Sequence, residues 1–488
     1  MLLPFEMCHL LWHHNRTRFK ELFDRDRILR FWEETISANE IWWQCHPLRD
    51  EITVAEDRSW YLPLQFFGDD ACLKKSRVMK TLTWYPATYA SLQSLRSRIP
   101  TYCIPKHWLV EKTESDLQTT LVWSMFMWMT GRFPQLDHVQ EPFAPGTSRF
   151  RSGQGSQQIA GGHVGVYTGF AADQMWMAEH FRFSSSWLRL DVCNRCHARN
   201  EDGPLDFCQA IEFPARTHED YMESDGARRS ALTGMPGFHL ATLRGEPMHA
   251  GPLGAMPDAV GSALVEHCSE GTFGCCEISG QWEVILQAQL DTAYGVFADW
   301  ARSQAEHHTI RRFTRLGFAM KLKNKSFASF KGKAHNCMVL CRWLEHLCSD
   351  HLDGTEYSRL RWLAIWAWVE FYEVCQTAID PDFLNPCELK RLDNATTVLM
   401  HSSKCLASIN AAKGLARWKL RPKLHVLYHI NRDAQSSSRN PRAWWTFKDE
   451  EFMGKLGRIA GATHAVSMCN RSLERWCIHF FSFMEPEC

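Results

Sequence analysis

The spacing of apolar residues divides the chain near residue 250 into two halves of different character. Short apolar runs with the length of buried strands lie before residue 245, at 60–67, 78–85 and 237–243. After residue 255 apolar residues recur every three to four positions, at 281–304, 336–349, 357–376 and 387–412. Strands first and helices later predict an α+β fold, with a small mixed sheet and a helical C-terminal half.

Composition narrows the class of protein. The chain has 488 residues, enough for one large domain or two to three ordinary ones. Lys and Arg number 55, as do Asp and Glu, so any surface that binds a polyanion must be local. No run reaches the ~18 apolar residues of a membrane helix, and the first 20 residues lack the pattern of a secretory signal. Nineteen cysteines, an odd number spread over the whole length, predict reduced thiols and an intracellular protein.

Two segments between the strand-like runs contain residues that are typical of helix ends and loops. The capping-box pattern from Ser115 to Gln118 predicts a buried helix that runs to residue 129 and is closed by Gly131 and Pro134. The glycine-rich stretch 144–169 lacks the spacing and the lysine of a phosphate-binding loop. We therefore predict that it is a flexible surface loop.

A cysteine pair marks a candidate metal site. Cys193 and Cys196 have C-x-x-C spacing, and His197 and Cys208 could complete a set of four zinc ligands. Ordinary reduced cysteines are the alternative interpretation. His425 and His429 lie one helical turn apart, but the pattern by itself favours core or surface histidines.

Two runs of basic residues suggest contact with nucleic acid. The first run has no acidic residue, and Phe313, Phe318, Phe327 and Phe330 are interleaved with its eight cations: Arg311, Arg312, Arg315, Lys321, Lys323, Lys325, Lys331 and Lys333. The second run contains Lys413, Arg417, Lys419, Arg421 and Lys423. Cations beside aromatic rings suit a phosphate backbone and stacked bases. A solvated charged face is the alternative.

Three acidic motifs could together bind divalent metal. Asp69 and Asp70 follow the first strand-like run, Glu246 follows the run at 237–243, and Glu450 lies where a helix begins. Taken singly, these motifs are typical of a turn, a surface loop and a helix first turn. If they converged, the carboxylates could hold two metal ions for phosphoryl transfer.

The order of four segments resembles that of the CACTA (En/Spm-type) transposases. Residues 246–249, Glu-Pro-Met-His, resemble the Asp-x-Met-His segment of the family, and residues 450–456 resemble its Glu-Arg-Tyr-Met-Gly-Lys ending. Residues 331–340 resemble its Lys-Ser-His-Asp-Cys-His block, and residues 423–429 resemble its His-containing apolar helix. The resemblance extends from about residue 60 to residue 476.

This resemblance implies a ribonuclease-H-like mixed sheet that a large helical insertion interrupts. It also implies a DDE-type site of Asp69, Glu246 and Glu450, which would bind Mg²⁺ or Mn²⁺ and cut and join the DNA of transposon ends in the nucleus. The expected regions are a helical preamble at 1–58, the sheet with a Cys-rich insertion at 59–254, the helical insertion at 255–415, and the helices of the catalytic core at 416–488.

The chain departs from the family pattern at two positions. Glu246 stands where the family has Asp, and Asn336 replaces the Asp of the second block. Because one extra methylene displaces a carboxylate by roughly an ångström from a Mg²⁺ ion that demands near-ideal geometry, a catalytically decayed nucleic-acid-binding protein is the alternative function. A helical scaffold for protein interactions is a third reading. Oligomeric state, target sequence and membership of a longer protein are left open, and no membrane partner is expected.

Overall fold

The computed structural model describes residues 1–74, 77–88, 93–155, 157–185, 189–201, 208, 213–274 and 281–481. The chain divides into two compact units. The sheet unit comprises residues 1–186, 215–244 and 443–488, and the helical unit comprises residues 187–214 and 245–442. The predicted division at 254/255 and 415/416 therefore differs from the unit boundaries, which lie at 244/245 and 442/443.

The first 54 residues of the sheet unit are helical. Buried aromatic residues such as Phe31, Trp32 and Trp43 anchor these helices, and the Trp32 indole donates to the carbonyl of Tyr61 at the start of the first strand (2.8 Å). The five helices are α1 (Pro4–His14), α2 (Arg16–Leu22), α3 (Arg25–Ala38), α4 (Ile41–Gln44) and α5 (Arg49–Val54).

A four-stranded mixed sheet forms the centre of this unit. Its strands are β1 (Tyr61–Lys74), β2 (Arg77–Pro86), β3 (Ile99–Pro105) and β4 (Val164–Ala171), arranged in the order β3-β2-β1-β4. The first three strands are antiparallel neighbours, whereas β4 runs parallel to β1. The predicted α+β class is confirmed in this sense: a small mixed sheet together with many helices.

The predicted turn after the first strand is wrong. Gly68, Asp69 and Asp70 lie within β1 and pair with Leu82, Thr81 and Lys80 of β2. Gly68 fits there because the ring of Trp176 occupies the space that a Cβ would take, 2.0 Å away. The glycine of this Gly-Asp-Asp motif thus marks the place where the Trp176 ring approaches the sheet closely.

The predicted loop at 144–169 is also partly wrong, because it contains most of β4. Gly165 within β4 approaches the ring of Trp128 so closely that a Cβ there would lie 2.3 Å from it. The predicted strand at 237–243 forms a 3₁₀ turn at Leu240–Thr242 instead, and only Leu243 bridges β4, at Phe170. Thr242 caps this turn through its own hydroxyl, which donates to the His239 carbonyl (2.6 Å).

Further helices of the sheet unit lie between and after these strands. The predicted helix is present and ends at Gly131, whose φ of 68° suits a left-handed C-cap. The predicted capping box is wrong, because the helix already begins at Glu111 without a side-chain cap, and only one face of the helix is buried. The helices are α6 (Ser94–Ser97), α7 (Glu111–Thr130), α8 (Ser148–Gln154), α9 (Gln174–His180), α10 (His218–Glu223) and α11 (Asp225–Arg229).

The helical unit is built from long helices that the apolar periodicity predicts. A π-helical segment at Gly251–Ala255 separates the first two of its helices. They are α12 (Pro247–Ala250), α13 (Met256–Ser269), α14 (Trp282–Ser303), α15 (Ala334–Asp350), α16 (Glu356–Thr377), α17 (Pro386–Ala412) and α18 (Lys423–Ser437). Residues 304–333 connect α14 to α15 without forming a helix or a strand.

The chain ends in two helices that return to the sheet unit, α19 (Phe447–Gly461) and α20 (Met468–Phe481). Helix α19 packs against β1 and helix α20 packs against β3. No helix in the described ranges is both long enough and apolar enough to cross a bilayer.

Candidate metal centre and nucleic-acid interface

Two cysteines and two histidines of the helical unit converge on one point. One ligand atom from each of Cys193, Cys196, His425 and His429 lies within 4.8 Å of the other three. The Cys193 sulfur is 3.3 Å from His429 Nε2, and the Cys196 sulfur is 3.1 Å from His425 Nε2. The two Nε2 atoms are 3.0 Å apart. This buried Cys₂His₂ cluster could hold a metal ion such as Zn²⁺.

Local structure positions both halves of the cluster. On α18 the His-x-x-x-His spacing places both rings on one face, because residues four apart in a helix are neighbours. On the other side the C-x-x-C lies in a turn, where the Arg195 N–H donates to the Cys193 sulfur (3.3 Å). The Arg195 guanidinium binds Asp433 of α18 through two bonds of 2.6 Å.

Electrostatics favour the metal-binding forms of Cys193 and His429, whereas the hydrogen bond with Cys193 and burial raise the pKa of the Cys196 thiol. Burial opposes the thiolate of Cys193, but the Cys196 thiol and the His429 and His425 rings together hold its pKa well below the ordinary value. Burial lowers the pKa of His429, and a neutral imidazole is the form that binds a metal. By contrast, burial raises the pKa of Cys208, which lies outside the cluster.

The predicted ligand set is therefore half right. Cys193 and Cys196 belong to the cluster, whereas His197 is exposed and Cys208 is buried elsewhere. The two missing ligands come from α18, more than 220 residues later. A combined signal was present, because Cys-x₂-Cys with His-x₃-His has the spacing of many zinc sites. Each pattern alone is equally typical of ordinary cysteines and histidines, and only the two patterns together indicate a zinc site.

The first basic run lies in the non-helical connection 304–333. Its exposed cations form no ion pair within the described part of the chain: Arg311, Arg312, Lys321, Lys323, Lys325, Lys331 and Lys333. Arg315 departs from the prediction, because its guanidinium donates to the carbonyls of Met320 and Lys321 and so braces the loop. The run is therefore an exposed cationic loop held together by one of its own arginines.

The interleaved aromatic residues are mostly core. Phe313, Phe318 and Phe330 are buried, so the expectation that they stack on bases is wrong for these three. Phe327 is 42% exposed, and Lys419 Nζ from the second basic run lies 5.7 Å from the centre of its ring. One aromatic ring thus remains available at the surface.

The two basic runs are neighbours in space. The carbonyl of Asn324 in the first run accepts a hydrogen bond from the Ala416 N–H in the second (2.9 Å). Four exposed lysines flank this junction together with Phe327, and we call this set the basic surface: Lys323, Lys325, Lys413 and Lys419. A helical scaffold for protein interactions would be favoured by basic runs on different faces, so this junction disfavours that interpretation.

Helix α13 supports both runs. The Phe330 N–H donates to the carbonyl of Pro257 (3.0 Å), and the Trp418 N–H donates to the Ser262 hydroxyl (2.8 Å). Arg421 forms an ion pair with the buried Asp258. Arg421 is consequently a structural member of the second run, as is Arg417, which is buried.

Two of the three predicted catalytic acids belong to the sheet unit. Helix α19 covers one face of the sheet, and Tyr85 of β2 lies on that face, because Arg98 stacks on Tyr85 and pairs with Asp449 of α19. Tyr85 is paired with Gln65 of β1, and residues paired across antiparallel strands share a face. Because side chains alternate along a strand, Asp69 shares the face of Gln65, the face covered by α19.

The remaining acids differ in their surroundings. Glu450, in the first turn of α19, is partly exposed. Glu246 belongs to the helical unit, so the three-acid site stays a prediction.

Glu246 acts as a helix cap in this structure. Its carboxylate is buried and accepts bonds from the N–H groups of Met248 (2.8 Å) and His249 (2.5 Å). The same carboxylate also meets His249 Nδ1 at 2.7 Å. These contacts engage both oxygens of Glu246 as the N-cap of the short helix α12.

Comparisons with known proteins add no assignment. No protein-family model matches the chain, and no curated protein matches it.

Proposed function

We propose that the helical unit binds nucleic acid through the basic surface. The observation that carries the proposal is the junction of the two basic runs at Asn324 and Ala416, which concentrates exposed lysines in a chain of zero net charge. Lysines that neutralise phosphates release counterions, so such binding weakens steeply with salt and depends little on base sequence.

The salt dependence of DNA binding tests this proposal. We expect the triple variant Lys323→Gln, Lys325→Gln, Lys419→Gln to lower the slope of log affinity against log salt by about 3, because each duplex phosphate contact contributes ~0.9. Affinity for a short duplex at low salt should fall at least about tenfold.

A matched triple variant controls for net charge. Lys20, Lys112 and Lys390 are exposed lysines outside the basic surface, and changing them to Gln removes the same charge. Equal salt slopes for the two triple variants would contradict the proposal and favour the scaffold reading.

We further propose that the protein is transposase-like, with a ribonuclease-H-like sheet and double-stranded DNA in the nucleus as its partner. Two features support this proposal: the mixed sheet with β4 parallel to β1, and the helical unit whose main segment, 245–442, interrupts the sheet unit. The resemblance to the CACTA transposases implies a mixed sheet that a helical insertion interrupts.

Mg²⁺-dependent strand cleavage is a second candidate function. It is favoured by the position of Asp69 on the sheet face covered by α19, the helix that bears Glu450. The capping role of Glu246 weighs against it, and for this reason nucleic-acid binding without cleavage is the function that the geometry supports best.

Nicking assays separate these two functions. If the site is active, Asp69→Ala and Glu450→Ala should abolish metal-dependent nicking and leave salt-sensitive binding intact. Glu246→Asp should keep or raise activity, because it restores the shorter residue of the family pattern. If neither the natural chain nor Glu246→Asp nicks DNA with Mg²⁺ or with Mn²⁺, cleavage is contradicted and only the nucleic-acid-binding function remains.

We propose Zn²⁺ as the ion held by the Cys₂His₂ cluster. Two thiolates and two imidazoles are typical of tetrahedral zinc, whereas Mg²⁺ prefers oxygen ligands. Because the two ions prefer different ligands, we do not assign the catalytic Mg²⁺ to this cluster.

A further inference from the structure

We propose that the Cys₂His₂ cluster is a closed structural zinc site that fastens the segment 189–201 to helix α18. The inference rests on Zn²⁺ being the bound ion and concerns what the ion does for the helical unit. Four protein ligands fill a tetrahedral shell, so no position remains for a water or a substrate. The site is therefore expected to contribute to folding, with no catalytic role.

Cys193 and Cys196 lie in a compact turn of the backbone, residues 190–200, which we call the knuckle. The Val192 N–H donates to the Ala198 carbonyl (3.1 Å), and the Asn200 N–H donates to the Leu190 carbonyl (2.9 Å), so the chain folds back on itself around Cys193 and Cys196. An isolated bridge between Asp191 and Arg199 completes the turn. Within its described residues this segment has no helix or strand of its own.

Other contacts also join this part of the chain to α18. They include the Arg195–Asp433 ion pair and the edge of Phe213 against the His425 ring, with centroids 5.5 Å apart. A metal ion shared between Cys193, Cys196, His425 and His429 would join the two elements directly. Because a site like this is not preformed in the unfolded chain, binding of the ion is coupled to folding.

Metal content and metal-dependent folding test the proposal on the full chain. We expect the reduced, purified protein to bind one Zn²⁺, or one Co²⁺ with the visible absorption of a tetrahedral thiolate complex. Cys193→Ser and His429→Gln should each abolish that signal. Cys208→Ser, which changes a buried cysteine outside the cluster, should keep it.

Chelation of the natural chain provides a second readout that does not depend on a variant folding. Removal of Zn²⁺ should lower the midpoint of thermal unfolding and expose the segment 189–201 to protease, and added Zn²⁺ should reverse both effects. The proposal is overturned if the reduced protein binds neither ion, or if chelation leaves the midpoint and the cleavage pattern unchanged. DNA binding measured on the same samples is scored separately, so failure of the zinc site is distinguishable from failure of the basic surface.

Discussion

The guanidinium of Arg98 and the carboxylate of Asp449 form a buried bidentate pair between residues 351 positions apart. Arg98 Nε lies 2.7 Å from Asp449 Oδ1, and Nη2 lies 3.1 Å from Oδ2. Arg98 also stacks on Tyr85, with its guanidinium carbon 3.8 Å from the ring centre. The pair ties the start of β3 to α19, the helix that returns after the whole helical unit.

Removal of one partner of this pair should be costly. We expect Arg98→Met to lower the free energy of unfolding of the sheet unit by ~3–5 kcal/mol, because it leaves the Asp449 carboxylate buried without its cation. Chemical denaturation measures the change. Arg471→Met, which breaks the exposed pair with Glu474, is the control and should cost only ~0–1 kcal/mol. Similar losses in the two variants would contradict the prediction.

Acid should destabilise the sheet unit through Glu114. Burial opposes ionisation of this carboxyl, but His180 at 2.8 Å and Lys80 at 3.1 Å outweigh burial and lower its pKa to about 2. Because the folded pKa lies below the ordinary glutamate value of 4.5, the stabilisation is complete above that value and is lost as pH falls towards about 2.

Unfolding measured between about pH 6 and pH 2 checks this sign. Glu114→Gln should remove ~1–2 kcal/mol of the acid-dependent loss, after allowance for solvent screening. Glu283 in the first turn of α14 offers an unrelated control carboxylate. A pH profile of Glu114→Gln that matches that of the natural chain would refute the role of Glu114.

The packing of the connection 304–333 against α13 should depend on the absence of a side chain at Gly261. A Cβ at this position would lie 2.7 Å from the backbone carbon of Ala328 and the backbone nitrogen of Ser329, which cannot move independently. We therefore expect Gly261→Ala to destabilise the helical unit by ~1–3 kcal/mol. Gly295→Ala is the control, because no atom lies within 4 Å of its added methyl in α14. That change should stabilise by ~0.5–1 kcal/mol, and the same sign for both variants would be inconsistent with the packing.

Phe327 should contribute to binding of single strands more than of duplexes. Its ring is exposed beside Lys419, and stacking of an unpaired base on an aromatic ring contributes ~1–3 kcal/mol. We expect Phe327→Ala to weaken binding of a single-stranded oligonucleotide at least about fivefold and to leave duplex binding nearly unchanged. Leu316→Ala removes an exposed apolar side chain of the same loop and should do neither. Equal effects on both forms of DNA would argue against stacking.

The sequence indicates only the cysteine half of the cluster, and the reason is physical. The spacing of Cys193 and Cys196 is local, so one turn of backbone presents both sulfurs. Their partners, His425 and His429, are separated from them by four long helices, and only the folded helical unit decides which histidines face the knuckle. The same holds for Phe327, since burial of Phe313, Phe318 and Phe330 depends on what packs over the loop.

The sequence by itself determined the elements whose formation depends on near neighbours. Apolar periodicity indicated the long helices, and short apolar runs indicated β1 and β2, because helix and strand faces repeat every 3.6 and 2 residues. Tertiary structure alone decided that Gly68 to Asp70 continue β1, that Glu246 caps its own helix, and that Asn324 meets Ala416. These outcomes depend on which distant groups fill the space around a residue, such as the ring of Trp176 against Gly68, and no local pattern encodes that choice.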